Sequence, residues 1–158
     1  MSLLRYLMLL SLVTWIGGLI FFSFVVAPSA FAVLPTRHMA GTVVARSLGA
    51  LHWMGIVSGI VFLISSTLYA RVSTGSVHPF TARHFLIVLM LVLTCISQFG
   101  ISPRMHVLRT SVGEIDNVPV DAPARLQFNS LHVWSTRLEG GVFLLGLVAL
   151  YLTAQQLS

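Results

Sequence analysis

The sequence predicts an all-α membrane protein: a four-transmembrane-helix antiparallel bundle whose helices two to four extend beyond the bilayer into a polar cap on one side. Three observations carry this prediction. The chain is 56% hydrophobic and only 8% charged, against roughly 25% charged in soluble domains, which is too little polar surface to face water. Four apolar runs, at about 6–27, 50–69, 84–102 and 138–157, each approach the ~20 residues that cross a hydrocarbon layer of ~30 Å. The last three runs lie inside longer unbroken stretches, near 37–71, 80–111 and 124–155. Helices of that length measure about 45–50 Å at ~1.5 Å per residue. The surplus falls at one end each time, before Ala50, after Pro103 and before Leu138. The chain reads as a single integral membrane domain, 1–158.

The first run follows Arg5 and is broken only by small or hydroxylated residues, ending near Pro28. A secretory leader is the competing reading, since Ala30-Phe31-Ala32 imitates a cleavage site. Leader cores, however, run to about 7–15 residues, and this stretch is longer. Thr36 is placed to cap the second helix. Gly55 and Gly59 within it form a small-xxx-small pair that admits a neighbouring helix closely. A short turn over 73–79 leads into helix three, which is expected to continue past Pro103 with a kink. The loop at 113–123 holds Glu114, Asp116 and Asp121, three of the four acidic residues, and helix four follows it. Gly17, Gly18, Gly140 and Gly141 are further small-residue packing candidates on helices one and four.

All nine basic residues are arginine. Arg37, Arg46, Arg104, Arg109, Arg125 and Arg137 fall at the cap end, and Arg5, Arg71 and Arg83 at the other. The positive-inside rule then places the cap in the cytoplasm and both termini outside. No basic stripe with interleaved aromatics is present, so nucleic acid is not an expected partner. The single cysteine, Cys95, lies in an apolar run and reads as a small packing residue.

One stretch joins the polar cap to the last span. Phe128, His132, Ser135, Glu139 and Val142 recur at helical spacing along it. An ionised acid in a span costs up to about 2.5–3.5 kcal/mol at its centre, so Glu139 must face a partner inside the bundle. Arg137, two residues away, points nearly to the opposite side. Arg104, Arg46 and His52, on other helices at the same depth, are the better candidates. Glu139 is read either as an interhelical ion pair that fixes register or as part of a proton or ion relay.

The cap end also gathers His38, His52, His106 and His132, with Met39, Met54 and Met105 beside three of them. Imidazole with thioether suits copper(I), and imidazole alone suits haem iron. The opposing reading is interfacial histidine and core methionine, because adjacent residues such as His38 and Met39 diverge by about 100° on a helix. Nucleophile–base pairs, paired carboxylates, phosphate loops and zinc motifs cannot be assembled, which argues against an enzyme.

Trp15-Ile16-Gly17-Gly18, Phe24-Val25-Val26-Ala27-Pro28 with Phe31, Ser102-Pro103-Arg104 with Arg109, and Phe128, Leu131-His132, Ser135 and Leu138 resemble the transmembrane protein 205-like family. That resemblance spans nearly the whole chain and implies a four-helix membrane fold without catalytic residues. The Trp-x-Gly-Gly start is also similar to copper-resistance D-type proteins. Their first helix usually carries a histidine ahead of the tryptophan, where 6–14 here holds none.

The function expected is that of a non-enzymatic accessory or stabilising subunit of a larger membrane complex, respiratory or photosynthetic. Its partners would be the lipid bilayer and other subunits or further copies of the chain. Phe21, Phe22 and Phe24 with the small residues offer surface for packing, lipid or pigment. The alternatives are a haem- or copper-binding protein using the cap histidines, and a small transporter or channel with Glu139 at its mouth.

Overall fold

Each apolar run lies on a helix, and each helix outruns the bilayer. The computed structural model describes residues 2–74 and 81–157. It comprises α1 (Ser2–Val33), α2 (Arg37–Thr74), α3 (Ala82–Val112) and α4 (Pro123–Leu157), with a short 3₁₀ turn at Ile115–Asn117 between the last two. All four are long and apolar enough to cross a membrane. The expected turn at 73–79 lies largely outside the described residues, and so does Phe80. α3 is described from Ala82, after an extended Thr81.

Chain neighbours pack side by side: α1 on α2, α2 on α3, α3 on α4, with α4 returning to α1. This up-and-down ring leaves α2 and α4 facing each other across the diagonal. Thr36 caps α2 as its sequence position suggests, its Oγ1 accepting from the Met39 N–H at 3.1 Å. Gly113, at φ +70°, ends α3 in a conformation that a side chain would resist.

Two wide π-helical turns carry prolines through helices that proline would otherwise end. In α1 the turn spans Phe22–Val26 and Pro28 follows, and in α3 it spans Ile96–Ile101 and Pro103 follows. The N–H groups closing them reach back five residues, Ala27 to the Phe22 carbonyl and Ser102 to the Ser97 carbonyl. Proline brings no N–H and crowds the carbonyl four residues earlier, and a widened turn relieves that crowding. α1 therefore runs on to Val33 instead of stopping near Pro28, and all four helices, rather than three, project at the cap end.

The interior is a continuous apolar seam. Met8, Leu12, Trp15, Ile16 and Leu19 of α1 meet Leu51, Phe62 and Tyr69 of α2, Ile87 and Met90 of α3, and Val142 and Ala149 of α4. On α4 the buried positions Phe128, Ser135, Val142 and Ala149 repeat every seven residues, the seam spacing of a left-handed bundle. Gly146 continues the companion row, and a Cβ there would lie 3.0 Å from Ile16 and 3.2 Å from Met90.

Candidate functional site

The buried faces of α2, α3 and α4 each contribute polar side chains at one level, near the cap-side boundary of the spans. His52 sits on the same stripe of α2 as Leu51 and Gly55, and is 1% exposed. Glu139 sits on the α4 seam between Ser135 and Val142 and is 14% exposed. The two meet across the bundle's diagonal, His52 Nε2 lying 2.6 Å from Glu139 Oε1. The Ser97 hydroxyl donates to the same oxygen at 3.2 Å. On the far side of the imidazole, His52 Nδ1 lies 2.8 Å from the Gln98 amide oxygen.

Gln98 fixes what the imidazole can do. An amide oxygen only accepts, so Nδ1 must carry a proton and donate it. The Nε2 lone pair or proton is then directed at Glu139 whatever the charge state. One proton lies between Nε2 and Oε1, giving either imidazolium with carboxylate or neutral imidazole with carboxylic acid. The Nδ1–H bond to Gln98 survives in both forms. Transfer within the pair therefore needs no ring flip.

Ser97 and Gln98 are adjacent in sequence, and on a regular α-helix they would point about 100° apart. Both belong to the wide turn Ile96–Ile101, which turns Ser97 to Glu139 and Gln98 to His52. By residue type alone, a serine and a glutamine in an apolar helix suggest no more than ordinary helix–helix polar contacts. The available signal was Pro103, since a proline inside an apolar helix calls for a local widening just before it. Single π turns inside α-helices recur at functional sites, and this one lies beside a buried ionisable pair.

Of the three partners considered for Glu139, the structure brings His52 to it. Arg46 and Arg104 are exposed. Arg137 is exposed as well and lies over the Trp134 ring, 5.4 Å from its centroid. Arg109 braces the cap instead, its Nη1 donating to the Gly41 carbonyl at 3.0 Å and its guanidinium lying over the Phe128 ring.

The cap histidines do not converge. His106 and His132 are exposed on α3 and α4, and His38 is half-buried on α2. His132 was expected on the buried face of α4. The cap end of α4 packs on the tail of α3 instead of sitting in a full ring, and its buried stripe narrows to Phe128 and Ser135. Met54 packs over Gly18, and Met105 is half-buried away from any cluster. Both ring nitrogens of His52 are engaged, which leaves no lone pair for copper or haem iron while those bonds last. No group of three or more His, Cys, Asp or Glu able to hold a metal occurs among the described residues.

The glycines separate into two kinds. Trp15 lies against Gly55 and Gly59, with Leu91 also against Gly59, and Met54 and Leu51 press on Gly18. Gly17 and Gly140 have open space where a Cβ would go, and Gly141 has ordinary contact with Leu93.

No curated protein and no solved structure matches the chain. A family match covers most of α1 together with α2 and α3, and so includes His52, Ser97 and Gln98 but stops short of Glu139: a model described as a domain of unknown function matches residues 10–113, and the chain belongs to that family, DUF4149.

Proposed function

We propose that this integral membrane protein is non-enzymatic and acts by association, as an accessory or stabilising subunit in a membrane assembly, with the His52–Glu139 pair holding its own helices in register. The observation that carries the reading is where apolar side chains remain exposed. Met39 and Val43 of α2, Val107 of α3, Val120 of the loop and Leu126, Val133 and Trp134 of α4 are all exposed in segments outside the expected spans. Lipid accounts for exposed apolar residues inside the spans. Beyond them, apolar side chains exposed among arginines fit contact with another protein or a further copy of this chain. The resemblance to the transmembrane protein 205-like family suits a four-helix protein without a catalytic centre. The arginine bias supports a cytoplasmic cap with both termini on the other side.

The native mass in mild detergent, taken directly from the source membrane, tests this. A particle well above one chain, with its excess mass in other chains or further copies, is expected. A lone chain at all detergent concentrations would refute it.

One observation favours a second reading, a proton relay. An intramembrane imidazole–carboxylate pair shares a proton beside a π turn, and the carboxylate keeps some exposure. Phe62, Ile87, Met90 and Val142 fill the interior below it, so a pathway through one chain is closed and the relay would need an oligomer. Under this reading, Glu139→Gln in liposomes stays folded and loses at least ~90% of proton flux, since about a 1.4 kcal/mol rise in barrier is already tenfold. Unchanged flux in that variant, or no flux from wild type, removes the relay.

A further inference from the structure

The bundle's opposite end gathers cations where the chain supplies no acidic side chain. Arg5 and Arg83 lie there with His84, while Glu114, Asp116, Asp121 and Glu139 all belong to the cap side. Arg83 is 5% exposed and His84 is 7% exposed, so neither charge nor ring is simply bathed in water. Arg5 of α1 donates to the Tyr69 hydroxyl of α2 from Nε at 3.1 Å and from Nη2 at 2.7 Å, and it lies over the same ring. Tyr69 is also within electrostatic reach of Arg83. α1, α2 and α3 therefore each bring a polar or cationic side chain to this boundary of the spans.

We propose that Arg5, Tyr69, Arg83 and His84 form a site for a phosphate anion, filled by the headgroup of an anionic phospholipid in the leaflet away from the cap. Guanidinium groups recognise phosphate oxygens through paired N–H donors. Basic pockets between transmembrane helices are a recurrent way to hold lipid headgroups.

His84 adds an independent indication. Its Nδ1 is engaged by the Thr81 hydroxyl, and its buried Nε2 has no hydrogen-bond partner among the described residues. When Thr81 donates to Nδ1, the ring proton resides on Nε2, which becomes a donor suited to an anion. With its hydroxyl so occupied, Thr81 leaves α3 without a side-chain cap. The N-terminus of that helix faces the same end, where its dipole favours negative charge.

The position selects the lipid source over a free anion. Tyr69 closes the second span and His84 opens the third, the depth at which headgroup phosphates lie. The test uses the whole protein in dodecyl maltoside, a detergent without phosphate, and follows thermal unfolding on adding phosphatidylglycerol, phosphatidylcholine or inorganic phosphate. Phosphatidylglycerol is expected to raise the midpoint by about 5 °C, the shift for a saturated site on a chain of this size. Phosphatidylcholine and inorganic phosphate should add little.

Arg83→Gln should abolish the shift but risks the fold. Arg5→Gln, at an exposed position, should at least halve it, and Arg46→Gln at the cap should leave it intact. Protection by inorganic phosphate equal to that by the lipid would keep the phosphate site and assign it to the free anion. Equal effects of phosphatidylglycerol and phosphatidylcholine with none from phosphate would overturn the proposal, as would a full shift in Arg5→Gln.

Discussion

Replacing His52 with leucine is expected to destabilise the folded bundle by about 2 kcal/mol. Most of that loss should be recovered by replacing Glu139 as well. The single change leaves the Glu139 carboxylate inside the bundle with, among the described residues, the Ser97 hydroxyl alone donating to it. Removing one member of a buried ion pair costs about 3–5 kcal/mol in soluble proteins. Two features reduce the figure here. Glu139 retains 14% exposure, so water partly solvates the orphan. In membranes the unfolded helices also find alternative partners, and measured interhelical hydrogen bonds average about 0.6 kcal/mol. The double variant His52→Leu/Glu139→Leu puts apolar groups on both sides of the contact and should come within about 1 kcal/mol of wild type. Glu139→Gln should cost less than about 1 kcal/mol, because the glutamine amide can donate to Nε2 while Nδ1 goes on donating to Gln98. Reversible unfolding in mixed micelles of wild type, His52→Leu, Glu139→Leu and the double variant gives all four corners of the cycle. Single-variant losses that simply add would show the two residues to be energetically independent, and the register role would fall with that result.

The fold was legible because it rests on composition and length, and neither depends on how a helix is rotated. Apolar runs of membrane-spanning length, the surplus helix at one end and the Thr36 cap can be read directly from residue types. Glu139 could be read as inward-facing for the same reason, since a carboxylate in a span has no favourable outward orientation. Its partner could only be narrowed to residues at the same depth. Choosing among Arg46, Arg104 and His52 requires the azimuth of each helix, which packing fixes. Trp15 against Gly55 and Gly59 is one such packing contact for α2, and neither end of the contact reveals the other in sequence. The π turns escaped for another reason. Periodicity assumes a constant angle per residue, so a local widening ahead of Pro28 or Pro103 shifts every later position without changing composition. The α1 endpoint and the inward placing of both Ser97 and Gln98 were lost there. His132 shows the converse limit, a position that fits the seam by spacing but lies where the seam has lost a neighbour.

Gly55→Ala is expected to cost about 2 kcal/mol, the middle of the range for forcing extra volume into a packed core. The added methyl would meet the Trp15 indole, with Cε2 at 2.7 Å. Trp15 is itself buried against the core and cannot simply swing away. Gly59→Ala should behave alike, its Cβ falling 2.7 Å from Leu91 and 2.9 Å from Trp15. Gly18→Ala should cost less, since the nearest obstacles are the flexible end of Met54 and a Leu51 methyl. Gly17→Ala and Gly140→Ala meet nothing within 4 Å and should instead gain about 0.5–1 kcal/mol from better helix propensity. Small residues at helix interfaces are often treated as equivalent, so opposite signs for Gly55 and Gly17, and for the adjoining residues Gly17 and Gly18, would be a sharp result. The α1–α2 contact also bears on the polar site. His52 lies three residues before Gly55, on the same face, so prising α1 from α2 rotates the imidazole away from Glu139. Gly55→Ala should therefore shrink the His52–Glu139 coupling energy measured in its background, whereas Gly140→Ala, one residue from Glu139 in sequence, should leave that coupling unchanged. Coupling that persisted undiminished in Gly55→Ala would mean that the pair, rather than the tryptophan–glycine contact, sets the rotation of α2.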